Sequence, residues 1–503
     1  MGLEVATSAG VVRGVRRETG HGEVEEFLGL PYAVAERFRV AGPVPPWTGV
    51  REARAYAPPA PQVGDDGFTG SERDCLAVNV WRPPGATGLP IMVWIHGGGF
   101  IGGAPSDALS DGDRLAARHG VIVVAVGYRL GALGFLTLEH LLGEEFRDAA
   151  NLAPLDLVAA LRWVRDHAEA LGGDPDRVTV FGQSAGGAAT ATLLGMPITE
   201  GLFRRAIVQS GTAERAQPPE FGIERTAELL GLLDLSERQA ARLLELPAEA
   251  LLEAQTRLIE RRSRGRLATV FAFQPTVDGR VLPELPYRSV AAGTNAGVDL
   301  VVGTNEHEAA GLGVPLALTD REVAGLAEQL PELITGDFPD RPGLADRYRA
   351  AFGDLVPGAS EAELIGGYLT DRTYRQPSNR LLAARQAASG RTYAYLFTWE
   401  PRRPGPRRGA VHSAELPFLF RHQDHPRLTD ELGQRLPAGL ADSVSTAWAT
   451  FAETGRPLLP DGTDWPQYEV PDRSTMIIDE RLRVAGDPRG ELRALLADAT
   501  QEP

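Results

Sequence analysis

An α/β fold with a large, mostly parallel central sheet is what the sequence predicts, and three observations carry that prediction. Leu89–Ile95 and Val121–Val126 are near-continuous apolar runs of strand length, the pattern of strands covered on both faces. Leu157, Leu161, Val164, Ala168 and Leu171 then recur at three- and four-residue steps and close on Gly172-Gly173, an amphipathic helix with a stop signal. Val178–Phe181 restarts the strand pattern and is followed at once by small residues. Strands alternating with helices argue for a parallel sheet with helices on its faces.

The remaining elements follow in order. Residues 3–30 alternate around glycines and read as short strands of a small N-terminal antiparallel sheet. The Pro-rich stretch 41–61 reads as an irregular surface segment. Residues 223–262, rich in Leu, Ala, Glu and Arg, read as helix, and charged runs such as Glu260–Arg266 as solvated helix faces. Asp299–Gly303 and Thr392–Trp399 look like further strands. With no short repeat, low-complexity tract or long linker, residues 1–503 are expected to form a single domain, with inserted helical or cover regions at roughly 212–275 and 310–390 and Phe100 and Phe271 as candidate pocket-lining residues.

Composition narrows the function. A hydrophobic fraction of 43% with 23% charged residues describes a chain that buries a large core. The net charge of −16 and the lack of any basic block argue against a nucleic-acid partner. No apolar run approaches the ~20 residues of a membrane helix, so no membrane partner is expected. Oligomeric state is not legible. Met1-Gly2-Leu3-Glu4 shows neither a basic nor an apolar leader region, and Cys75 is the only cysteine. Both favour the cytoplasm, with secretion of a processed form as the alternative. All 51 basic residues are arginine. The P-loop lysine, a Schiff-base lysine and a Ser-x-x-Lys site are thereby ruled out.

Gly182-Gln183-Ser184-Ala185-Gly186 satisfies Gly-x-Ser-x-Gly directly after the strand Val178–Phe181. A sharp strand-to-helix turn of that kind lifts the serine hydroxyl clear of the sheet, and only glycine-sized neighbours fit around it. The alternative, an ordinary Gly-rich turn, lacks the flanking strand and helix start. His96-Gly97-Gly98-Gly99-Phe100 follows the strand ending at Ile95, and its glycines leave backbone amides open to a carbonyl oxygen. His96 reads as a brace for that loop. Among the nine histidines, His21, His119, His140 and His167 have no special neighbours and read as mostly exposed. His422 and His425 lack the spacing of a metal site. His412 lies in a loop after the strand 392–399, where the order Ser, acid, His places a base. The loop Gly303–Glu308 offers the acid, but spacing alone does not choose between Glu306 and Glu308.

Motifs along the whole chain complete the picture. Phe27–Ala33, Asp74–Val80, Tyr128–Gly131, Phe181–Gly187, Gln209–Gly211, Val277–Gly279, Trp448, Phe451-Ala452, Gly455–Pro457 and Trp465–Tyr468 occur in the order found in the type-B carboxylesterases, which include the cholinesterases. The sequence resembles that family. The resemblance implies the α/β-hydrolase fold and a serine esterase with Ser184 as nucleophile, His412 as base and Glu308 as acid. It implies an oxyanion hole from the backbone N–H groups of Gly98, Gly99 and Ala185, with Gln183 and Ser210 close behind. The implied partner is a small-molecule ester, and no metal or organic cofactor is implied. An amide, carbamate or natural-product ester on the same triad is the alternative; a non-catalytic interaction protein is disfavoured because all three triad residues are present. Several positions depart from the family pattern. Gln183 replaces the usual Glu, which weakens attraction for cationic substrates. Ala60 replaces the cysteine that bridges to the Cys75 position. Arg73 replaces Glu beside Asp74, leaving Glu72 as the substitute in a structural ion pair.

Overall fold

The computed structural model describes residues 3–64, 67–263, 271–309, 320–402, 409–428 and 434–497. Its strands are β1 (Glu4–Ala6), β2 (Val11–Arg13), β3 (Val15–Glu18), β4 (Glu23–Pro31), β5 (Val50–Glu52), β6 (Gln62–Gly64), β7 (Gly67–Thr69), β8 (Ala77–Arg82), β9 (Leu89–Ile95), β10 (Ile122–Val126), β11 (Gly173–Gln183), β12 (Arg205–Gln209), β13 (Asp299–Asn305), β14 (Thr392–Phe397), β15 (Ser474–Ile478) and β16 (Arg483–Gly486). Eleven of them form one sheet in the order β16-β15-β14-β13-β12-β11-β9-β10-β8-β4-β3. From β10 across to β15 the neighbours run parallel, and antiparallel pairs close both ends. This is the α/β-hydrolase fold.

Period-two alternation explains how the central strands sit. In β9, Ile91, Val93 and Ile95 pack into one core cluster while Met92 and Trp94 pack into another; in β10, Ile122, Val124 and Val126 divide from Val123 and Ala125 in the same way. Strands apolar on both faces must be covered on both faces, and helices supply the cover. The helix Leu152–His167 buries Leu157, Leu161 and Val164. It ends earlier than the predicted stop at Gly172, because Ala168 and Leu171 extend the apolar pattern through the following turn, where both are fully buried. A third cluster joins Leu330, Ile334, Tyr348, Phe352, Ile365 and Tyr368 to Leu492 and Leu496 of a C-terminal helix.

The N-terminal strands depart from the expected small antiparallel sheet. β1 and β2 pair antiparallel, but β2 takes β5 in parallel, and β3 and β4 join the edge of the central sheet. The chain changes sheets at Gly14, where a Cβ would lie 2.4 Å from Glu26 O and 2.8 Å from the Phe27 ring. Only glycine lets the backbone cross at that separation.

Topology locates the site. The chain enters the parallel region at β9, steps outward to β10, then returns past β9 to lay down β11, β12, β13 and β14 in sequence. Strand order therefore reverses between β9 and β11. A crevice forms at the carboxyl ends of strands on either side of such a reversal.

Candidate active site

The segments that follow β9, β11, β13 and β14 carry Gly98-Gly99, Ser184, Glu308 and His412. Ser184 joins β11 to the helix Ala185–Gly195 at φ 58° and ψ −123°, a conformation that costs a residue with a side chain about 1–3 kcal/mol. Ser184 N–H donates to Gln209 O at 2.9 Å, and Ser184 O accepts from Ala188 N–H at 2.8 Å, so the turn is held from both sides. Close approach explains the glycines. A Cβ on Gly182 would lie 2.4 Å from Gly186 O, and one on Gly186 only 2.0 Å from Ile95 O.

The glycine loop curls beside this turn. Gly98 adopts φ 109° and Gly99 φ 64°, while Gly98 O accepts from the N–H groups of Ile101 and Gly102. Among the described residues, the N–H groups of Gly98, Gly99 and Ala185 donate to no protein acceptor. Three free donors beside a serine hydroxyl can receive a developing oxyanion. His96 steadies the loop: its ring stacks on Tyr128 at 4.5 Å, and Tyr128 O–H donates to His96 O at 2.8 Å. Burial lowers the His96 pKa to about 4, so the ring stays neutral at neutral pH.

His412 Nδ1 lies 2.6 Å from Glu308 Oε2, and Glu308 Oε1 accepts Asn305 N–H at 2.7 Å. The Glu308 side chain is 0% exposed and that of His412 7%. A carboxylate on Nδ1 keeps the proton there and leaves Nε2 as the basic nitrogen. The structure separates the two acid candidates left by the spacing. Glu306 turns away and pairs with Arg489 at 2.7 Å. Burial opposes its ionisation, but the charge and hydrogen bond of Arg489, with the charges of His307 and Arg375, together outweigh burial and hold its pKa below the usual value. On the other side of the imidazole, Gln183 Nε2 lies 3.2 Å from His412 Nε2. Among the described residues Gln183, and not Ser184, is the hydrogen-bond partner of that nitrogen.

A polar network that the sequence did not reveal stands behind Glu308. Asn305 Nδ2 donates to Glu415 Oε2 at 2.7 Å, Gln209 Nε2 to Glu415 Oε1 at 3.1 Å, and Trp448 Nε1 to Gln209 Oε1 at 3.1 Å. Burial, and then the charge of Glu308, raise the Glu415 pKa above its ordinary value. The one available signal was an acid set among apolar residues in Ala414-Glu415-Leu416-Pro417-Phe418. Ser210, expected close behind the nucleophile, is fully buried with φ 47°, and its hydroxyl has no hydrogen-bond partner among the described residues.

A cavity of about 480 Å³ opens beside His412 and Gln183. Trp94, Leu109, Trp399, Leu416, Leu428 and Leu436 make its walls largely apolar. Among the described residues its lining comes from 94–110, Gln183, 399–401, 409–428 and Leu436, with none from the expected cover regions 212–275 and 310–390. Residues 264–270 and 310–319 of those regions lie outside the described residues. Phe100 is a core residue, 2% exposed and edge-on to Phe135. Phe271 packs under the Arg215 guanidinium.

Other expectations resolve as follows. Only His140 of the four set-aside histidines is exposed; His119 bonds Ser445 Oγ, and buried His167 accepts from Ser8 N–H and meets Trp163 O. Among the described residues no group of three potential ligands could hold a metal, and His422 contacts Asp111 O. Glu72 pairs with Arg37, the substitute ion pair expected from Arg73. Cys75 is free and buried, and Ala60 is buried as well. No described helix is long and apolar enough to cross a membrane.

Comparison with known proteins identifies the family. The family model described as "Carboxylesterase family" matches residues 2–492. The para-nitrobenzyl esterase of Bacillus subtilis is 37% identical, covering 98% of each chain, and the fumonisin B1 esterase of Sphingopyxis macrogoltabida is 32% identical over 92% of this chain and 84% of its own. Among solved structures, the Geobacillus stearothermophilus carboxylesterase superposes with a TM-score of 0.86 at 32% identity, covering 98% of this chain and 100% of its own. With the fold, the whole-chain match and the serine turn in agreement, the chain belongs to the carboxylesterase family and is a serine-dependent carboxylic ester hydrolase.

Proposed function

We propose that the protein hydrolyses small-molecule carboxylic esters through an acyl-enzyme on Ser184, with His412 as base, Glu308 as acid and the N–H groups of Gly98, Gly99 and Ala185 as the oxyanion hole. The observation that carries the reading is the 2.6 Å His412–Glu308 contact beside a serine held at φ 58°. The ester carbonyl oxygen enters among the three free amides. Gln183 yields His412 Nε2 to the Ser184 hydroxyl, and His412 takes its proton as the oxygen attacks. Each oxyanion donor of this kind lowers the barrier by about 2.7–4 kcal/mol. His412 then protonates the leaving alcohol, and water activated by the same nitrogen releases the acid. Acyl transfer by this route uses no metal or organic cofactor.

Gln183 and His412 line the 480 Å³ cavity, so the alcohol half of the ester is read as its occupant. Its apolar walls suit a bulky apolar alcohol over a cationic one. The free, buried Cys75 suits a reducing compartment, and we place the enzyme in the cytoplasm. Turnover of p-nitrophenyl acetate, butyrate and octanoate by wild type and Ser184→Ala tests the reading. Wild type should hydrolyse at least one of them, and the variant should lose at least about a thousandfold in kcat/KM. A variant that keeps substantial turnover would remove Ser184 from the reaction.

A further inference from the structure

Arg215 is a cation near the proposed catalytic residues with no ion-pair contact among the described residues, and the charge of neighbouring Glu214 only partly offsets its burial. It lies in the segment that follows β12, and among the described residues its guanidinium has no ion-pair partner and donates no hydrogen bond. The adjacent carboxylate, Glu214, is held by Arg380. Arg215 stands over the Phe271 ring, with Cζ 3.1 Å from its centroid. The residue is only half-buried, yet burial draws its guanidinium down to about 10. A group that protein largely surrounds but solvent still reaches is open to a small ligand. A partly desolvated, unpaired charge is unfavourable in the free protein, and a bound anion relieves that condition.

The link from Arg215 to His412 runs through Tyr374. The Tyr374 ring stands 5.1 Å from the His412 ring. Burial raises the Tyr374 pKa, while the charge of Arg215 opposes the rise and that of Glu308 adds to it, so the phenol lies within electrostatic reach of both. Tyr374 sits in a π-helical turn, Asp371–Arg375, and its hydroxyl donates no hydrogen bond among the described residues. Such turns interrupt a helix locally and re-aim side chains, often at functional sites. The same turn is tied to the acid loop, because Arg375 Nη2 donates to Glu306 O at 3.0 Å. Arg215, Phe271 and Tyr374 do not line the 480 Å³ cavity.

An ester seated on Ser184 extends two arms. His412 Nε2 hands its proton to the leaving oxygen, and both His412 and Gln183 line the cavity, so the alcohol arm belongs there. The acyl arm then points away from that cavity. We propose that Arg215 and Tyr374 receive that acyl arm and that it ends in a carboxylate, which makes the preferred substrate class the monoesters of dicarboxylic acids. The planar guanidinium fork matches a carboxylate with two parallel hydrogen bonds, and the Phe271 face fixes the plane of the fork. The Tyr374 hydroxyl can donate to one of the same oxygens. In the reaction, the bond between acyl carbon and alcohol oxygen breaks, water oxygen joins the acyl carbon, and a water proton leaves on the alcohol. The distal carboxylate stays unchanged.

This inference rests on acyl transfer at Ser184, and the test separates the two. Monobenzyl glutarate and benzyl pentanoate have acyl chains of equal length and differ in the terminal carboxylate. Wild type should show a glutarate-to-pentanoate ratio of kcat/KM above one. Arg215→Gln should lower that ratio by roughly tenfold or more, and Arg215→Lys should recover part of it. Calorimetric titration of monobenzyl glutarate into Ser184→Ala protein reads recognition without turnover, and binding there should vanish on adding Arg215→Gln. A wild-type ratio at or below one, a ratio kept by the Gln variant, or calorimetric binding that survives loss of Arg215 overturns the inference. Binding that depends on Arg215 without turnover of either ester would instead count against the esterase reading.

Discussion

The two nitrogens of the His412 imidazole face different kinds of surroundings. Behind Nδ1, Glu308 has one oxygen on the ring and the other on Asn305 N–H, and Asn305 continues through Glu415 and Gln209 to Trp448. In front of Nε2 there is one amide, Gln183, and then a cavity of about 480 Å³. The rear is closed and largely paired; the front makes one exchangeable contact. A general base needs one nitrogen fixed so that the other can change partners during the reaction. In the proposed mechanism the asymmetry leaves holding to one side of the ring and chemistry to the other.

The sharpest way to break that division is to disturb the rear. Glu308→Gln keeps the shape but offers Nδ1 an amide in place of a carboxylate, favouring the wrong tautomer. It should lower kcat/KM for p-nitrophenyl butyrate by about 10³–10⁴. Glu306→Gln removes only the Arg489 partner and should cost less than about tenfold. The reverse ranking would mean that the contact seen in the structure is not the one used in turnover.

The same asymmetry explains what could be read in advance. The closed side was legible where chemistry imposes a local pattern. Gly182 and Gly186 are demanded by backbone separations of 2.4 and 2.0 Å for a would-be Cβ, and the apolar runs of β9 and β10 by burial on both faces. Spacing alone left Glu306 and Glu308 unresolved, because both follow the same strand; the family resemblance chose Glu308, and the fold places it on the imidazole. The open side was not legible. Its walls come from segments as far apart as Trp94 and Leu436, and no local rule couples them. Glu415 was hidden for the same reason: its partners Gln209 and Asn305 are 206 and 110 residues away in sequence.

The front of the ring can be tested by filling it. Ala414 lines the cavity, and Ala414→Phe puts an aromatic ring into space that the alcohol half is expected to use. Benzyl butyrate should lose roughly tenfold in kcat/KM relative to methyl butyrate, an effect of one displaced apolar group. Equal losses on the two esters would show that the alcohol lies elsewhere.

Gln183 is the single contact at the front, so changing its charge should tune the base without removing it. In Gln183→Glu, a carboxylate beside Nε2 favours the imidazolium, and the acid limb of the kcat/KM profile should move to higher pH. The added charge should also raise butyrylcholine turnover relative to butyl butyrate by a few-fold, a partly screened interaction. An unmoved acid limb with unchanged selectivity would mean that the amide does not face the working nitrogen.

The smallest effect is expected from Glu415, the acid farthest from the chemistry but inside the closed side. Burial, and then Glu308, raise its pKa, so the folded chain holds this proton more tightly than the unfolded one. The stability tied to that preference is complete below the ordinary glutamic-acid pKa and is lost as pH rises through the raised value. Glu415→Gln removes the titration. It also replaces one of two accepting oxygens with an NH₂, so either Gln209 or Asn305 loses its acceptor at every pH. That loss is a constant offset, and the pH-dependent part is the difference between variant and wild type across a series of melts at one scan rate. The variant-minus-wild-type difference in Tm should become more positive from pH 4.5 to pH 8, by on the order of a degree. A flat difference would show that Glu415 ionises as easily in the folded chain as in the unfolded one, and the rear of the imidazole would then be less closed to charge than its hydrogen bonds imply.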